Sequence, residues 1–129
     1  MGDRTVLARW EGGMRAVVEA GEFDIVVDEP ESAGGTNTGP QPTDLLLASV
    51  ASCLTLALAH VARRRGIELA GLRVRAVGTY DGPKFVRISV TITSTTAAEV
   101  VEALIPQAER ICYVSNTLRH RPELRVSLG

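Results

Sequence analysis

The chain shows no excess of charge of either sign. Its 129 residues contain 14 Lys and Arg against 15 Asp and Glu, which gives a net charge of −1. A chain with this balance has no electrostatic reason to bind nucleic acid or an anionic membrane surface. We therefore predict no nucleic-acid partner and no membrane partner.

The chain also lacks the hydrophobic segments that direct secretion or membrane insertion. The N-terminal sequence MGDRTVLARWEGG has no apolar core of the signal-peptide type. The most apolar stretch is interrupted by Asp44, His60 and arginines, well short of the ~18 uninterrupted apolar residues that a membrane span requires. The length and the 45% apolar fraction are those of one ordinary globular domain. Together these features predict a cytoplasmic protein.

Only two cysteines are present, Cys53 and Cys112. In a reducing compartment, two cysteines are more often free thiols or a redox pair than a structural bridge. The cysteines and the two histidines lack the short paired spacings of structural zinc sites, so we predict no metal site and no cofactor. His60 lies seven residues after Cys53, a rise of ~10 Å along a helix, which is too far for a direct hydrogen bond to the thiol.

The segment TDLLLASVASCLTLALAHVARRRG, residues 43–66, predicts one long helix around Cys53. Pro42 precedes it, Thr43 can cap its first turn, and Gly66 suits the left-handed position after the last turn. Its apolar residues lie on all sides rather than along one stripe, which predicts a helix buried on every face. A domain of this size has too little chain to surround such a helix. We therefore predict an intertwined homodimer in which a second copy helps to cover it.

The rest of the chain alternates between strand and helix patterns. Period-two alternation and turn signals predict five strands, with a bulge near Val86, over residues 5–10, 14–20, 23–28, 72–80 and 85–95. Helical spacing returns over residues 97–111, where Pro106 should kink or divide the helix. A short helix and a last strand follow, over residues 114–118 and 123–128. The predicted fold is α+β, in the order βββ-α-ββ-α-(α)-β, with two antiparallel sheets around the long helix.

Three segments, in this order and spacing, resemble the OsmC/Ohr family of osmotically induced and organic-hydroperoxide-resistance proteins. They are GGTNTGPQPTDLLLASVASC, the helix end RRRGIEL, and AERICYVSNTL after the second hairpin. The resemblance covers nearly the whole chain and is closest to the less-studied OsmC-like branches. It implies a single OsmC-like domain over residues 1–129 and an interlocked α+β homodimer with active sites at the dimer interface.

The resemblance also implies a thiol-dependent peroxidase that acts on organic hydroperoxides. Cys53 would attack the peroxide and become a sulfenate, Cys112 would resolve it as a disulfide, and an external dithiol would reduce the disulfide. Arg15 stands where the family keeps an arginine, early in the strand after the Gly-Gly turn. Physical chemistry agrees with this role, because burial raises the pKa of a thiol in the middle of a helix and a permanently charged arginine opposes that rise.

The residues leave alternatives at two places. Peroxidase members usually carry a glutamate directly after the proline that leads the helix, where this chain has Thr43. Asp44, one residue on, either orients Arg15 or only decorates the start of the helix. A lone cysteine on an apolar helix is also commonly a small buried hydrophobe. The alternative function is a non-catalytic dimeric binding module for a small lipophilic or thiol-reactive ligand. The Gly- and Pro-rich segment 29–42 is either a surface loop or a loop that shapes a pocket.

Overall fold

The computed structural model describes residues 2–129, which form two compact units that meet in sequence between Leu46 and Leu47. The chain has the predicted α+β class with two antiparallel sheets. Its regular elements are β1 Val6–Trp10, β2 Ala16–Ala20, β3 Phe23–Val27, α1 Pro42–Arg64, β4 Arg73–Asp81, β5 Lys84–Thr93, α2 Ala98–Ile111 and α3 Tyr113–Arg119. A 3-10 turn, Glu31–Ala33, lies between β3 and α1.

The first unit contains a three-stranded antiparallel meander in the order β1-β2-β3. Val18 in the middle strand pairs with Ala8 on one side and Ile25 on the other. Val17 and Val27 are buried, whereas every residue of β1 is exposed. The sheet therefore has an open edge along its first strand.

The second unit contains the long hairpin of β4 and β5. Thr79 pairs with Arg87 and Tyr80 pairs with Phe85, so Val86 is the extra residue of a bulge. This confirms the bulge predicted near Val86. The rings of Tyr80 and Phe85 then stack at the closed end of the hairpin, with centroids 4.6 Å apart.

The core of the second unit joins α1 to α2. Leu58 and Leu104 are completely buried, and the small side chain of Ala108 is buried between the same elements. Partly buried residues of the hairpin, such as Val74 and Ile92, pack against this cluster. Close packing of aliphatic and small side chains of this kind fixes two helices to one another.

The burial of α1 differs from the prediction. Its buried residues recur every three or four positions and form one stripe: Val50, Leu54, Ala57, Leu58, Val61 and Ala62. Leu56, which points away from this stripe, is 69% exposed. The prediction of a helix buried on every face is thus wrong for a single chain, because the elements of one chain cover only one side. The length of α1 and its mean hydropathy of 2.1 are those of a helix that could cross a membrane. The core helices of soluble proteins meet the same two criteria.

Two smaller predictions about the second half of the chain also differ from the structure. A kink in the helix stays a prediction, but division of the helix is wrong, because α2 continues through Pro106. Its exposed position lets water satisfy the carbonyl that loses its helical partner. The strand predicted over residues 123–128 is absent from the described chain, and the alternating Leu124, Val126 and Leu128 are exposed. A strand needs a neighbouring strand for its backbone hydrogen bonds, and this segment has none within residues 2–129.

Asp28, directly after β3, is the one buried charged side chain among residues 2–129, with 1% of its surface exposed. Its Oδ1 accepts hydrogen bonds from the backbone N–H groups of Glu29 (2.7 Å) and Thr36 (3.3 Å). Its Oδ2 accepts from the hydroxyls of Thr36 (2.5 Å) and Thr38 (2.7 Å) and from the Thr38 N–H (3.1 Å). We call Asp28 with these donors on Glu29, Thr36 and Thr38 the Asp28 clamp.

Hydrogen bonds to the ionised form hold the pKa of Asp28 far below its usual range. The Thr36 hydroxyl contributes most, followed by the Thr38 hydroxyl, and these effects exceed the opposing effect of burial. Asn37 has a φ of 54°, a left-handed conformation that asparagine tolerates. This single turn directs the N–H groups on both sides of it toward one carboxylate.

Gly39 lets the same loop pass directly against β3. A Cβ at this position would overlap the carbonyl oxygen of Val26 and come within 2.8 Å of its carbonyl carbon. We expect Gly39→Ala to lower the free energy of unfolding by ~1–3 kcal/mol, because a backbone must shift to make room. Urea unfolding would measure the change. Gly129→Ala is the control, since nothing lies within 4 Å of its Cβ. Equal stability of the two variants would contradict this close approach.

The Asp28 clamp also predicts an acid dependence of stability. Because the folded pKa of Asp28 is depressed, its stabilising effect is fully present above the unfolded pKa of ~3.9 and is lost as the pH falls toward the folded value. Asp28→Asn should lower the midpoint of thermal unfolding by several degrees at pH 7. The difference from the unsubstituted protein should shrink below pH ~3.9. A difference that stays constant from pH 7 to pH 2 would exclude this linkage.

Candidate redox site

The two cysteines come together where α1 packs against the junction of α2 and α3. Cys53 lies in the middle of α1 and is half-buried against the core. Cys112 is the single residue between α2 and α3, and it is completely buried. Both are free thiols. The structure thus brings together two residues that are far apart in sequence and that the sequence analysis singled out.

The Cys53 and Cys112 side chains lie close enough for each to affect the pKa of the other. Backbone N–H groups at the start of α3 act on both thiols. Those of Val114 and Tyr113 act to lower the pKa of Cys53, and those of Ser115 and Val114 act to lower the pKa of Cys112. N–H donors near a sulfur stabilise its thiolate form.

The two thiols differ in acidity. Burial raises the pKa of Cys53, and its hydrogen bond to Cys112 raises it further, against the opposing N–H bonds from α3. Burial also acts to raise the pKa of Cys112, but bonds from the Ser115 hydroxyl, the Ser115 N–H and Cys53 bring it below the ordinary value. The more acidic sulfur is therefore the one that solvent cannot reach.

Ser115 holds the Cys112 side of the pair. Its hydroxyl donates to the carbonyl oxygen of Cys112 at 3.2 Å and also acts to lower the pKa of the Cys112 thiol. A hydroxyl has one hydrogen to donate, so these two acceptors compete for it. Ser115 was not singled out from the sequence, where it is one of several hydroxyl residues after Cys112. The helical turn that aims it back at Cys112 becomes visible only in the fold.

Arg15 lies in the first unit, in the turn directly before β2. Its Nε donates to Glu11 Oε1 at 3.2 Å, and its Nη1 donates to Thr38 Oγ1 at 2.8 Å. The acid that pairs with Arg15 is therefore Glu11, and Asp44 forms no ion pair among residues 2–129. Glu11 was not singled out from the sequence, although it stands four residues before Arg15 across the Gly-Gly turn. A role for Asp44 stays a prediction.

A cavity of about 310 Å³ opens beside Arg15 within the first unit. Its walls are mainly apolar and include Trp10, Met14 and Val27. Glu29 and Pro42, at the two ends of the segment 29–42, also line it. Arg15 therefore stands at the wall of an apolar pocket, with the loop forming part of the rim.

His60 is exposed on α1. No group of three or more His, Cys, Asp and Glu side chains that could hold a metal ion occurs within the part of the chain that is described. The arrangement at Cys53 and Cys112 is a dithiol. Chemically, it can exchange a proton between two sulfurs or close to a disulfide.

Known proteins resemble this chain in both sequence and fold. The OhrB organic hydroperoxide resistance protein of Bacillus subtilis is 26% identical, with 93% of each chain covered and a TM-score of 0.64. An organic hydroperoxide resistance protein, OsmC, from Legionella pneumophila is 25% identical, with 92% of each chain covered and a TM-score of 0.66. An OsmC-like protein from Mycoplasma pneumoniae shares the fold, with a TM-score of 0.76 at 18% identity over 93% of this chain and 89% of that one.

The sequence comparison extends to a curated relative and to a family profile. The uncharacterized protein YmaD of Bacillus subtilis (strain 168) is 26% identical over 132 residues, which covers 92% of this chain and 88% of that protein. The profile of the OsmC-like proteins matches residues 35–127, a span that contains both cysteines. That span is well over half of the chain, and the protein therefore belongs to the OsmC-like protein family, as its sequence motifs predicted.

Proposed function

We propose that the protein is a thiol-dependent peroxidase that reduces organic hydroperoxides with Cys53 and Cys112. The observation that carries the proposal is that the two thiols lie together at the core, one half-buried and one fully buried. Membership of the OsmC-like family and the likeness to two organic hydroperoxide resistance proteins support the substrate class.

The difference in exposure supports the roles proposed for the two sulfurs. A hydroperoxide can approach Cys53, because its side chain is half-buried, whereas Cys112 is sealed from solvent. The Cys53 thiolate attacks the outer oxygen of the peroxide. The O–O bond breaks, Cys53 becomes a sulfenic acid, and the alkoxide takes a proton and leaves as an alcohol. The peroxide is reduced by two electrons and the sulfur is oxidised by two.

Resolution follows between the two neighbouring sulfurs. The Cys112 thiolate attacks the sulfenic sulfur, an S–S bond forms, and the hydroxyl leaves as water after taking a proton. The lowered pKa of Cys112 suits this step, because the thiolate is the attacking form. An external dithiol then exchanges with the disulfide and restores both thiols. Such a cycle requires a reducing compartment, which fits a cytoplasmic location.

The raised pKa of Cys53 sets a requirement on the first step. Because the two thiols affect each other, the first proton to leave belongs to the pair, and the resulting negative charge can reside on either sulfur. A positive charge near Cys53 would shift it toward the accessible sulfur. In this proposal Arg15 supplies that charge, since guanidinium stays protonated and already stands at the wall of an apolar pocket.

A homodimer completes the proposal. Apolar side chains are exposed on elements of both units: Val6, Leu7 and Trp10 on β1, Leu56 on α1, and Val86 on β5. Exposed large apolar residues in such number are typical of a surface that another chain covers. A second copy would bury them and would provide the cover that α1 lacks in one chain.

The redox cycle predicts the stoichiometry of a single turnover. One equivalent of cumene hydroperoxide should consume both thiols of the reduced protein and lower its intact mass by two hydrogens. Cys53→Ser should abolish turnover, because the accessible nucleophile is gone. Cys112→Ser should form the sulfenic acid once and then over-oxidise to a sulfinic acid, about 32 Da heavier than the thiol.

Free-thiol titration and intact mass spectrometry would check these outcomes. The matched comparison is between the two serine variants, which remove the same atom from the two members of one contact. If both thiols of the unsubstituted protein survive for many minutes, Cys53 is a packing residue and the peroxidase proposal fails. A non-catalytic binding module for a small lipophilic ligand would then be the better account.

The dimer predicts a mass in solution of two 13.8 kDa chains. Light scattering after gel filtration would measure it at micromolar concentrations. Leu56→Arg should shift the population toward single chains, because it places a charge on the exposed apolar side of α1. Asp3→Arg, an exposed position near the N-terminus, should leave the mass unchanged. A mass of one chain for the unsubstituted protein would refute the dimer.

A further inference from the structure

We propose that Asp28 and Thr38 are positioning residues for Arg15: the buried carboxylate fixes the Thr38 hydroxyl, and that hydroxyl aims the guanidinium. The inference deepens the proposed function and rests on it, because it concerns the group that would stabilise the Cys53 thiolate. Its physical basis lies entirely within the first unit, in the Asp28 clamp and the turn that carries Arg15.

The direction of each hydrogen bond follows from the chemistry of the partners. An ionised carboxylate can only accept, and a guanidinium can only donate. The Thr38 hydroxyl lies between them, 2.7 Å from Asp28 Oδ2 and 2.8 Å from Arg15 Nη1. Its single hydrogen must point to Asp28, which leaves a lone pair for Arg15. The three groups form one chain of donors and acceptors with a single orientation.

The Asp28 carboxylate can hold Thr38 in place because many hydrogen bonds fix its own position. Five hydrogen bonds from three residues reach its two oxygens, and only 1% of its surface is exposed. Charge-assisted bonds of this kind are shorter and stronger than bonds between neutral groups. The left-handed backbone at Asn37 sets the spacing between the two threonines. Thr38 is therefore held at both its N–H and its hydroxyl.

Glu11 alone would orient Arg15 poorly. Its carboxylate is 3.2 Å from Nε, and the two side chains are 39% and 38% exposed. Exposed ion pairs of this kind contribute little and allow several geometries. The bond to Thr38 adds a second fixed direction, so that the guanidinium plane is defined by two contacts. Nη2 makes no hydrogen bond within residues 2–129 and remains available to a thiolate or a peroxide.

The experiment compares Thr38→Val with Thr38→Ser. Valine keeps the approximate shape of threonine and removes the hydroxyl, whereas serine keeps the hydroxyl and removes the methyl group. The first readout is the second-order rate of Cys53 oxidation by cumene hydroperoxide as a function of pH. Thr38→Val should slow the reaction at neutral pH by on the order of tenfold, the cost of one hydrogen bond to a charged group. It should also move the apparent pKa of the profile upward.

Thr38→Ser should retain most of the rate and the original pH profile. Arg15→Gln should produce at least the full effect of Thr38→Val, and the double variant should be no worse than Arg15→Gln alone. A second readout does not depend on peroxidase chemistry. The NMR signals of the Arg15 guanidinium nitrogens should show faster rotation and proton exchange in Thr38→Val than in Thr38→Ser.

The outcomes separate this inference from the proposed function. If Arg15→Gln slows the reaction but Thr38→Val matches the unsubstituted protein, Arg15 acts without Thr38 and the inference is wrong while the peroxidase remains. If Thr38→Val slows the double variant as much as it slows the single one, Thr38 has only a structural role and the inference is again wrong. If Arg15→Gln changes neither rate nor profile, Arg15 has no part in the proposed function and there is nothing for Thr38 to position.

Discussion

Packing of α1 against α2 is the interaction on which the candidate site depends. Leu58 and Leu104 seal the contact, and Ala108 keeps the two helices close because its side chain is small. Cys112 follows α2 by one residue, so the same packing determines where its sulfur lies relative to Cys53 on α1. The dithiol is therefore an extension of the core rather than a feature of a surface loop. Cys112 lies within the core and is buried, whereas Cys53 lies at the edge of the core and is partly exposed.

Burial in a core disfavours the thiolate form of a cysteine, which is the nucleophile. The two cysteines differ in how far nearby hydrogen-bond donors offset this effect. At Cys112 the first turn of α3 and Ser115 supply hydrogen bonds that outweigh burial. At Cys53 the same turn supplies too little, and its pKa stays raised. The sulfur that is easiest to ionise is thus the least accessible one. In the proposed function, this asymmetry suits a resolving thiol at Cys112, and the accessible Cys53 would need a cation, the role proposed for Arg15.

The sequence predicted the elements well because strands and helices are local, periodic patterns. The hairpins, the bulge at Val86 and the long helix around Cys53 all follow from residues that are neighbours in sequence. Asp28 could not be recognised in this way. It looks like an ordinary acid at the end of an apolar strand, and its donors lie eight and ten residues later in a loop without periodicity. Glu11 was missed for a related reason, since the turn between it and Arg15 reverses the chain.

The prediction of burial on every face fails for one chain because apolar composition does not say which chain covers each face of a helix. The composition of α1 indicates burial on every face, but the other elements of one chain cover only the stripe of residues that includes Leu58. The same shortage of chain leaves β1 exposed, and within residues 2–129 it leaves the segment containing Val126 without a partner strand. Three uncovered apolar surfaces on one short chain have a common explanation if the folded unit contains more than one copy. In that case the apolar composition reflects the surfaces buried in the assembly. The predictions that are wrong for one chain then concern the surfaces that a second copy would cover.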